Sequence, residues 1–225
     1  MDSFIVPENM NGGVKAFFTT KSLGTERTEI CSTASLGNMS FYMPVQKHTD
    51  TIKVLGTDLS PEIADAVITD KKGVLIGVQV ADCVPVLLLD SEKPVVGAVH
   101  AGWRGTAAQI LKKTIARMME HFGSSPDTLL IALGPSIRGC CYHVDTEVKE
   151  SIVKATGSGD YYRVWGEKYV VDLSHANRLQ ALSAGVPDTN IWSSSECTCC
   201  NPGKFYSYRF QKDYAGRQGG FIGIL

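Results

Sequence analysis

Residues 74–89 read VLIGVQVADCVPVLLL, and residues 95–105 read VVGAVHAGWRG. Apolar runs at 74–80, 84–89 and 95–99 are rich in Val, Leu and Ile, and short polar or turn-forming segments separate them. Runs of this length and composition predict buried strands. The stretch therefore predicts the centre of a sheet, with the ADC segment at 81–83 between two strands and the HAGWRG segment at 100–105 on a tight turn.

Further strands and three helices are predicted around this centre. The additional strands are expected at residues 14–19, 51–55, 66–69, 129–133, 169–171, near 191, 205–208 and 221–225. The helices are expected at 106–122, opened by a capping box at 106–109, at 145–155 and at 172–184. This pattern favours an α+β fold, a mixed β-sheet core flanked by helices, over a regular βαβ winding. Residues 1–225 show no repeat or linker, which predicts a single domain.

Composition excludes several classes of protein. The chain has 225 residues, of which 44% are hydrophobic. Its formal net charge is -1, so the protein has no overall positive potential that would attract the phosphate backbone of a nucleic acid. Gln79, Asp82 and Pro85 interrupt the most apolar region, which argues against a membrane span. Residues 1–7, MDSFIVP, do not resemble a secretory signal. We expect a cytoplasmic protein with no nucleic-acid or membrane partner.

The seven cysteines do not predict a disulfide framework, because their number is odd and their spacing uneven. They lie at Cys31, Cys83, Cys140, Cys141, Cys197, Cys199 and Cys200. The C-x-x-C segment at 197–200, with Cys140-Cys141 as a second pair, is one candidate metal site. Adjacent cysteines seldom direct both sulfurs to one ion, and no second C-x-x-C completes the pattern. We therefore expect these thiols to serve as packing or as a pocket wall.

A second candidate metal site combines His48, Cys83 and His100, each in a polar segment next to a predicted strand. Their spacings of 35 and 17 residues match no local motif, so the site depends on the fold. One Cys and two His are nevertheless a standard zinc set that leaves a fourth position open.

Asp82 lies between apolar runs and is costly to bury alone, so we expect a partner for it. Arg104, near a predicted helix start, is a candidate anion-binding residue.

Three known metal chemistries do not match the pattern. The deaminase signature H-x-E with P-C-x-x-C is absent, because Ala101 and Gly102 follow His100. The metalloprotease signature H-E-x-x-H is also absent. Five histidines without an H-x-H pair are too few for a multicopper centre of the blue-oxidase type.

Four blocks of sequence together resemble the YfiH or laccase-domain family. They are ADCVPVL at 81–87, HAGWRG at 100–105, LGPSI at 133–137 and FYSYR at 205–209, and the resemblance runs in order from about residue 45 to the C-terminus. Older usage names this family polyphenol oxidases, and newer usage names it purine nucleoside phosphorylases with adenosine deaminase activity. The resemblance implies that His48, Cys83 and His100 are the metal ligands. The chain departs from the family at Lys47 and Thr49, where the family usually reads Q-V-H-G, and at His143, where an acidic residue is common.

The resemblance implies a zinc-dependent purine nucleoside enzyme. With phosphate, it would convert adenosine, inosine and methylthioadenosine to free base and ribose 1-phosphate, and it would also deaminate adenosine. Zinc would act at Cys83 and His100 as an electrophile or by activating water, with Asp82 as the proton shuttle. Arg104 and Arg209 are the candidate phosphate-binding residues, although Arg209 is equally consistent with a surface cation.

Three alternatives remain open at this point. Cys83 as nucleophile and His100 as base would make an amide hydrolase, acting for example on a peptidoglycan precursor. Copper in place of zinc would make a polyphenol oxidase, which the small number of histidines disfavours. A zinc ion used only for folding would make a non-catalytic binding module.

Overall fold

Two mixed β-sheets pack face to face, and the apolar runs between residues 74 and 101 supply the inner strands of both. The chain is described by a computed structural model that covers residues 3–37 and 39–225. Asn38 and the first two residues of the N-terminal stretch 1–7 lie outside the described residues. Strands are numbered β1–β14 and helices α1–α6 along the chain.

The strands form two large sheets and one small sheet. The first sheet contains, in spatial order, β13 (Ile191–Ser193), β9 (Leu129–Leu133), β7 (Val84–Asp90), β8 (Val96–Ala101), β5 (Ala66–Thr69) and β4 (Ile52–Val54). The second contains β1 (Phe4–Ile5), β2 (Val14–Thr19), β14 (Gln218–Ile224), β6 (Val74–Val80) and β3 (Ser40–Tyr42). The small antiparallel sheet contains β10 (His143–Val144), β12 (Lys168–Val171) and β11 (Tyr162–Trp165).

Helices cover the outer face of the first sheet and flank the second. They are α1 (Arg27–Thr33), α2 (Trp103–Ala107), α3 (Ile110–Phe122), α4 (Thr146–Thr156), α5 (Leu173–Ser183) and α6 (Tyr208–Gln211). Single 3-10 turns occur at Pro126–Thr128, Asp188–Asn190 and Lys212–Tyr214. In the described part of the chain, no helix has the length and apolar character needed to cross a membrane.

Strand β7 shows why the sequence reads as an unbroken apolar run. All seven of its residues are buried. Leu87 and Leu89 face the core between the two sheets, whereas Val86 and Leu88 face the helices. Both faces of the strand are covered, so both alternate sets of side chains are apolar. The predicted α+β fold with a mixed sheet core and flanking helices is confirmed.

The runs at 74–80 and 84–89 lie in different sheets, which the sequence did not predict. Strand β6 belongs to the five-stranded sheet and β7 to the six-stranded sheet. Residues 81–83 therefore form the corner where the chain crosses from one sheet to the other. Asp82 occupies this corner with a φ of 86°. A positive φ is rare for a non-glycine residue and needs support from its surroundings.

Two predicted elements are wrong in detail. The predicted helix 106–122 is two helices, because α2 ends at Ala107 and Gln109 takes a left-handed conformation with a φ of 58° before α3 begins. The predicted capping box does not form, since the Thr106 hydroxyl instead accepts a hydrogen bond from the Asn177 amide at 2.9 Å. The predicted strand 205–208 is a turn into α6, which Ser207 caps by accepting the Phe210 N–H at 3.2 Å.

Candidate metal centre and pocket

Pairing between β7 and β8 brings Cys83 next to His100. In this antiparallel ladder Pro85 lies opposite His100 and Val84 opposite Ala101, so Cys83, just before β7, reaches the end of β8. His100 is the penultimate residue of the strand rather than part of the predicted turn, and its side chain is buried. The register places its imidazole on the inter-sheet face that Val96 and Ala98 also occupy.

His48 reaches the same place from a loop that the Asp65 carboxylate holds. The backbone N–H groups of Lys47, His48 and Thr49 donate to this carboxylate at 3.2, 3.0 and 2.6 Å. The Thr49 hydroxyl donates to it at 2.8 Å. His48 has a φ of 58°, and this set of hydrogen bonds supports that conformation.

Asp65 also orients His100. One of its carboxylate oxygens lies 2.8 Å from His100 Nδ1, and Asp65 is fully buried immediately before β5. With Nδ1 engaged, Nε2 is the nitrogen that remains available to a metal. A carboxylate behind a ligating histidine fixes the ring and its tautomer in many zinc sites. A single buried side chain therefore positions both histidines.

The three candidate ligands fit a metal ion. The ligand atoms of His48, Cys83 and His100 lie within 4.8 Å of one another. A Cβ atom added at Gly102 would lie 2.9 Å from Cys83 Sγ and 3.3 Å from the His48 ring, so glycine leaves room for the cluster. A thiolate and two imidazoles are a donor set that suits zinc and leaves one position open. The triad predicted from widely separated residues thus comes together in the fold.

The electrostatics of the site favour a thiolate next to a cation. Burial alone would raise the pKa of Cys83, but the positive charge of His100 and hydrogen bonds from both histidines lower it to about 6. Burial alone would lower the pKa of His100, but the charge of Cys83 and the hydrogen bond to Asp65 raise it to about 9. Burial would also raise the pKa of Asp65, yet hydrogen bonds from His100 and Thr49 hold it well below its usual range. A divalent ion can take the place of the proton that His100 carries in this arrangement.

Asp82 has the hydrogen-bond partners that its position requires, and both partners are uncharged groups. The Thr198 hydroxyl donates to one carboxylate oxygen at 2.6 Å, and the backbone N–H of Arg209 donates to the other at 2.6 Å. The Asp82 carbonyl accepts the Ile137 N–H at 2.9 Å. These bonds fix the corner that immediately precedes Cys83 and explain how a carboxylate is tolerated there.

The two candidate phosphate-binding arginines border the same pocket and differ in how firmly they are held. Arg104 is exposed in the first turn of α2, and its guanidinium lies 4.4 Å from the centre of the Trp103 ring. The Arg209 guanidinium is partly buried, lies over the Tyr142 ring, and donates to the carbonyls of Cys141 at 3.4 Å and His143 at 3.1 Å. Arg209 is thus part of the pocket wall rather than a free surface cation.

The candidate metal ligands His48, Cys83 and His100 line a pocket of about 730 Å³. This volume falls within the range typical of small-molecule sites. Aromatic side chains that line the pocket are Trp103, Tyr142 and Tyr208. Side chains that bring positive charge to it are Arg104, Lys168, Arg209, Lys212 and Arg217. The pocket therefore combines flat apolar surfaces, a metal donor set and cations.

Asp65 is the residue of the site that the sequence reasoning missed. It lies between Ala64 and the apolar strand 66–69, as Asp82 lies between two apolar runs. The argument that a carboxylate in an apolar setting needs a partner applies equally to Asp65 and would have found it.

Four of the remaining cysteines, which were expected to serve as packing or as a pocket wall, come together in the fold, and Cys140 and Cys197 line a pocket there. Cys140, Cys141, Cys197 and Cys200 bring their sulfurs within 4.8 Å of one another. The sulfurs of the adjacent Cys140 and Cys141 both lie close to that of Cys200, at 3.5 and 3.3 Å. Cys199 is not part of this group.

The sequence model of the family described as multi-copper polyphenol oxidoreductase laccase matches residues 6–225. The chain belongs to this laccase-domain family. A laccase-domain protein named purine nucleoside phosphorylase YlmD, from Geobacillus stearothermophilus, is 39% identical over 163 residues, which are 71% of this chain and 59% of that protein. Its crystal structure superposes with a TM-score of 0.87 at 30% identity and covers 95% of this chain and 92% of that one.

Two other relatives extend this comparison. The YlmD protein of Bacillus subtilis, also named a purine nucleoside phosphorylase, is 36% identical over 71% of this chain and 58% of its own length. A protein from an unknown prokaryotic organism, named adenosine deaminase RL5, is 36% identical over 81% of this chain and 73% of its own length. The chain thus spans less than two thirds of the two YlmD sequences that it matches.

We expect Asp65→Asn to weaken zinc binding by about 10- to 100-fold, because the amide cannot hold both the His100 ring and the His48 loop as the carboxylate does. Competition with a chelator measures the affinity. Asp70→Asn is the matched control, since Asp70 is exposed and pairs with Lys71 at 2.8 Å. Equal zinc affinity for the Asp65 variant and the wild type would show that Asp65 does not support the metal centre.

Proposed function

We propose that this chain is a zinc-dependent purine nucleoside enzyme. It cleaves adenosine, inosine and methylthioadenosine with phosphate, giving free base and ribose 1-phosphate, and it also deaminates adenosine. The observation that carries the proposal is the His48, Cys83 and His100 donor set in a pocket with aromatic walls and several cations. The names of the relatives YlmD and RL5 support the same class of reaction.

The metal centre is proposed to act through an open coordination position. Bound zinc supplies Lewis acidity, which polarises an oxygen atom or activates a water. Asp65 keeps the His100 ring in the tautomer that leaves Nε2 free for the metal. Copper is the rival ion that the family description suggests, and metal analysis of the purified protein distinguishes the two.

Phosphate is proposed to bind at the cationic side of the pocket. The Arg209 guanidinium donates to two carbonyl groups, and its backbone N–H donates to Asp82, so the guanidinium loses little freedom when an anion binds. Arg104 is more exposed and is held by stacking on Trp103. The two guanidinium groups would neutralise the phosphate charge, while Tyr142 and Trp103 offer flat surfaces to the purine ring.

Asp82 is proposed as the proton shuttle of the deaminase reaction. It lines the pocket next to Cys83, which places it close to the metal centre. Both of its oxygens accept hydrogen bonds, from Thr198 and from the Arg209 backbone. Proton transfer therefore requires one of these bonds to be exchanged for a bond to substrate or water.

One arrangement in the site favours a second candidate function. Cys83, His100 and Asp65 also form a nucleophile, a base and an orienting carboxylate, as an amide hydrolase requires. Alkylation separates the two functions, because zinc protects the Cys83 thiolate whereas a free nucleophile reacts quickly. Rapid alkylation of protein that retains its metal would favour the hydrolase.

The central test supplies zinc-loaded protein with adenosine in the presence and absence of phosphate. We expect adenine and ribose 1-phosphate only with phosphate, and inosine with ammonia in either case, as measured by chromatography and an ammonia assay. His100→Ala should reduce both reactions by at least about a hundredfold, because it removes a metal ligand. His121→Ala, on the exposed face of α3, is the control. The same assay is repeated with inosine and methylthioadenosine, and zinc-loaded protein that forms no product from any of the three nucleosides would refute the proposal.

Arg104→Gln should raise the KM for phosphate about tenfold or more, because it removes a charge-assisted hydrogen bond from the guanidinium to phosphate. The deaminase reaction uses no phosphate and should be unchanged. Initial rates at varied phosphate measure this effect. Arg117→Gln is the matched control, since Arg117 is an exposed residue of α3 that faces Glu120. An Arg104→Gln enzyme with the wild-type KM for phosphate would remove Arg104 from the binding site.

Asp82→Asn should lower the deaminase rate by about a hundredfold or more and spare phosphorolysis, since a shuttle must carry a proton. Thr198→Val removes one hydrogen bond to Asp82 but keeps the carboxylate, so it should retain deamination. The ratio of ammonia to ribose 1-phosphate is the measured quantity. If both variants lose both reactions equally, Asp82 positions the corner and does not transfer a proton.

A further inference from the structure

Four cysteines gather their sulfurs outside the site described above. Cys140 and Cys141 lie on the loop that follows β9, and Cys197 and Cys200 lie on the turn that follows β13. The Sγ atom of Cys200 is 3.5 Å from that of Cys140 and 3.3 Å from that of Cys141. All four ligand atoms lie within 4.8 Å of one another.

We infer that Cys140, Cys141, Cys197 and Cys200 form a second metal site, a tetrahedral four-thiolate site that binds zinc and has a structural role. Four Zn–S bonds of about 2.3 Å place the sulfurs of a tetrahedron about 3.8 Å apart. The distances of 3.3 and 3.5 Å and the 4.8 Å limit bracket this value. A small movement of the side chains brings all four sulfurs to one ion.

Packing does not explain the convergence of these thiols. Cys140 and Cys200 are exposed, Cys141 is partly exposed, and Cys197 is buried. Thiols that merely fill a core are removed from solvent, whereas two members of this group face it. A disulfide would account for the closeness of two of the sulfurs but not for the position of the other two beside them. A four-coordinate ion is the occupant that uses all four.

The backbone around Cys197 is arranged to stabilise a thiolate. The Arg138 N–H donates to Cys197 Sγ at 3.5 Å, and the backbone of Cys200 also hydrogen-bonds to this thiol. Donors of this kind support the charged ligand in metal sites. Four neighbouring thiolates would repel one another, and a divalent cation removes that repulsion because it attracts each of them at closer range.

An ion at the second site would hold together two loops that contact the pocket residues Asp82 and Arg209. Thr198, between two of the cysteines, donates to the Asp82 carboxylate at 2.6 Å. The carbonyl of Cys141 accepts a hydrogen bond from the Arg209 guanidinium at 3.4 Å. An ion shared by the loops at 140–141 and 197–200 would therefore fix the residues that hold the corner at 81–83 and Arg209. Its role is structural, since none of its ligands needs to touch the substrate.

Metal content per chain tests the inference directly. We expect the wild type to carry about two zinc ions by mass spectrometry of purified protein, because the chain offers two donor sets. In the presence of a competing chelator, Cys140→Ser should retain about one ion and melt at a lower temperature. Cys31→Ser is the matched control, because Cys31 lies in α1, away from both donor sets, and this variant should keep both ions.

A second measurement separates this site from the centre at His48, Cys83 and His100. His100→Ala should keep one zinc ion, and X-ray absorption should show that its neighbours are four sulfurs at about 2.3 Å, with no nitrogen. If the purine function fails but this sulfur-only ion remains, the second site stands without it. Iron bound in the same four-sulfur geometry would retain the site and overturn its assignment to zinc.

Unmodified protein provides a test that no folding defect can obscure. Removal of both ions by chelation should expose four thiols in addition to Cys83 to a thiol reagent, in proportion to the zinc released from the second site. A wild type that holds one ion, lost on His100→Ala, would overturn the inference. A Cys141–Cys200 disulfide found by mass spectrometry of protein purified without oxidant would also overturn it.

Discussion

The buried Asp65 carboxylate holds both histidines of the candidate metal centre in place. It accepts hydrogen bonds from three successive backbone amides of the His48 loop and from the Thr49 hydroxyl, and it lies 2.8 Å from His100 Nδ1. A fully buried carboxylate is stable only when its charge is compensated, and these donors compensate it. The same bonds hold His48 in a left-handed conformation and fix the His100 ring. The hydrogen bonds that compensate one buried carboxylate therefore also position two candidate metal ligands, His48 and His100.

The corner at 81–83 extends this constraint to the rest of the pocket. It carries the chain from the five-stranded to the six-stranded sheet and ends at Cys83, the third candidate ligand. Asp82 within it binds Thr198 and the backbone of Arg209, which come from segments more than a hundred residues away. The four-cysteine group lies immediately beyond these contacts. The sheet crossing, the candidate metal ligands, the cationic wall of the pocket and the thiol cluster are therefore connected through a few short hydrogen bonds.

Local pattern predicted much of this structure. Four strands have the predicted bounds, because each is a mostly apolar and mostly buried run: Val14–Thr19, Ala66–Thr69, Val74–Val80 and Leu129–Leu133. Errors arose where a tertiary contact overrode local preference. Thr106 was expected to cap a helix, but its hydroxyl is used by Asn177, and α2 begins three residues earlier. The segment 205–208 has strand-like composition, but the Gln218 side chain takes up the backbone hydrogen bonds of Tyr206. The Gln218 amide donates to the Tyr206 carbonyl, and its oxygen accepts the Tyr206 N–H.

The type of fold, most of the buried strands and the three residues that could bind a metal were all predictable from the amino-acid sequence. Apolar periodicity and residue chemistry are local properties, so they can be read along the chain. Three features became visible only in the folded chain: Asp65 supports both histidines, the apolar runs on either side of residue 82 belong to different sheets, and four cysteines converge. These facts depend on contacts between distant parts of the chain, from Thr49 and Asp65, which are 16 positions apart, to the paired strands β6 and β14, which are more than a hundred positions apart. Such contacts are set by how the sheets and loops pack together, which no short segment specifies.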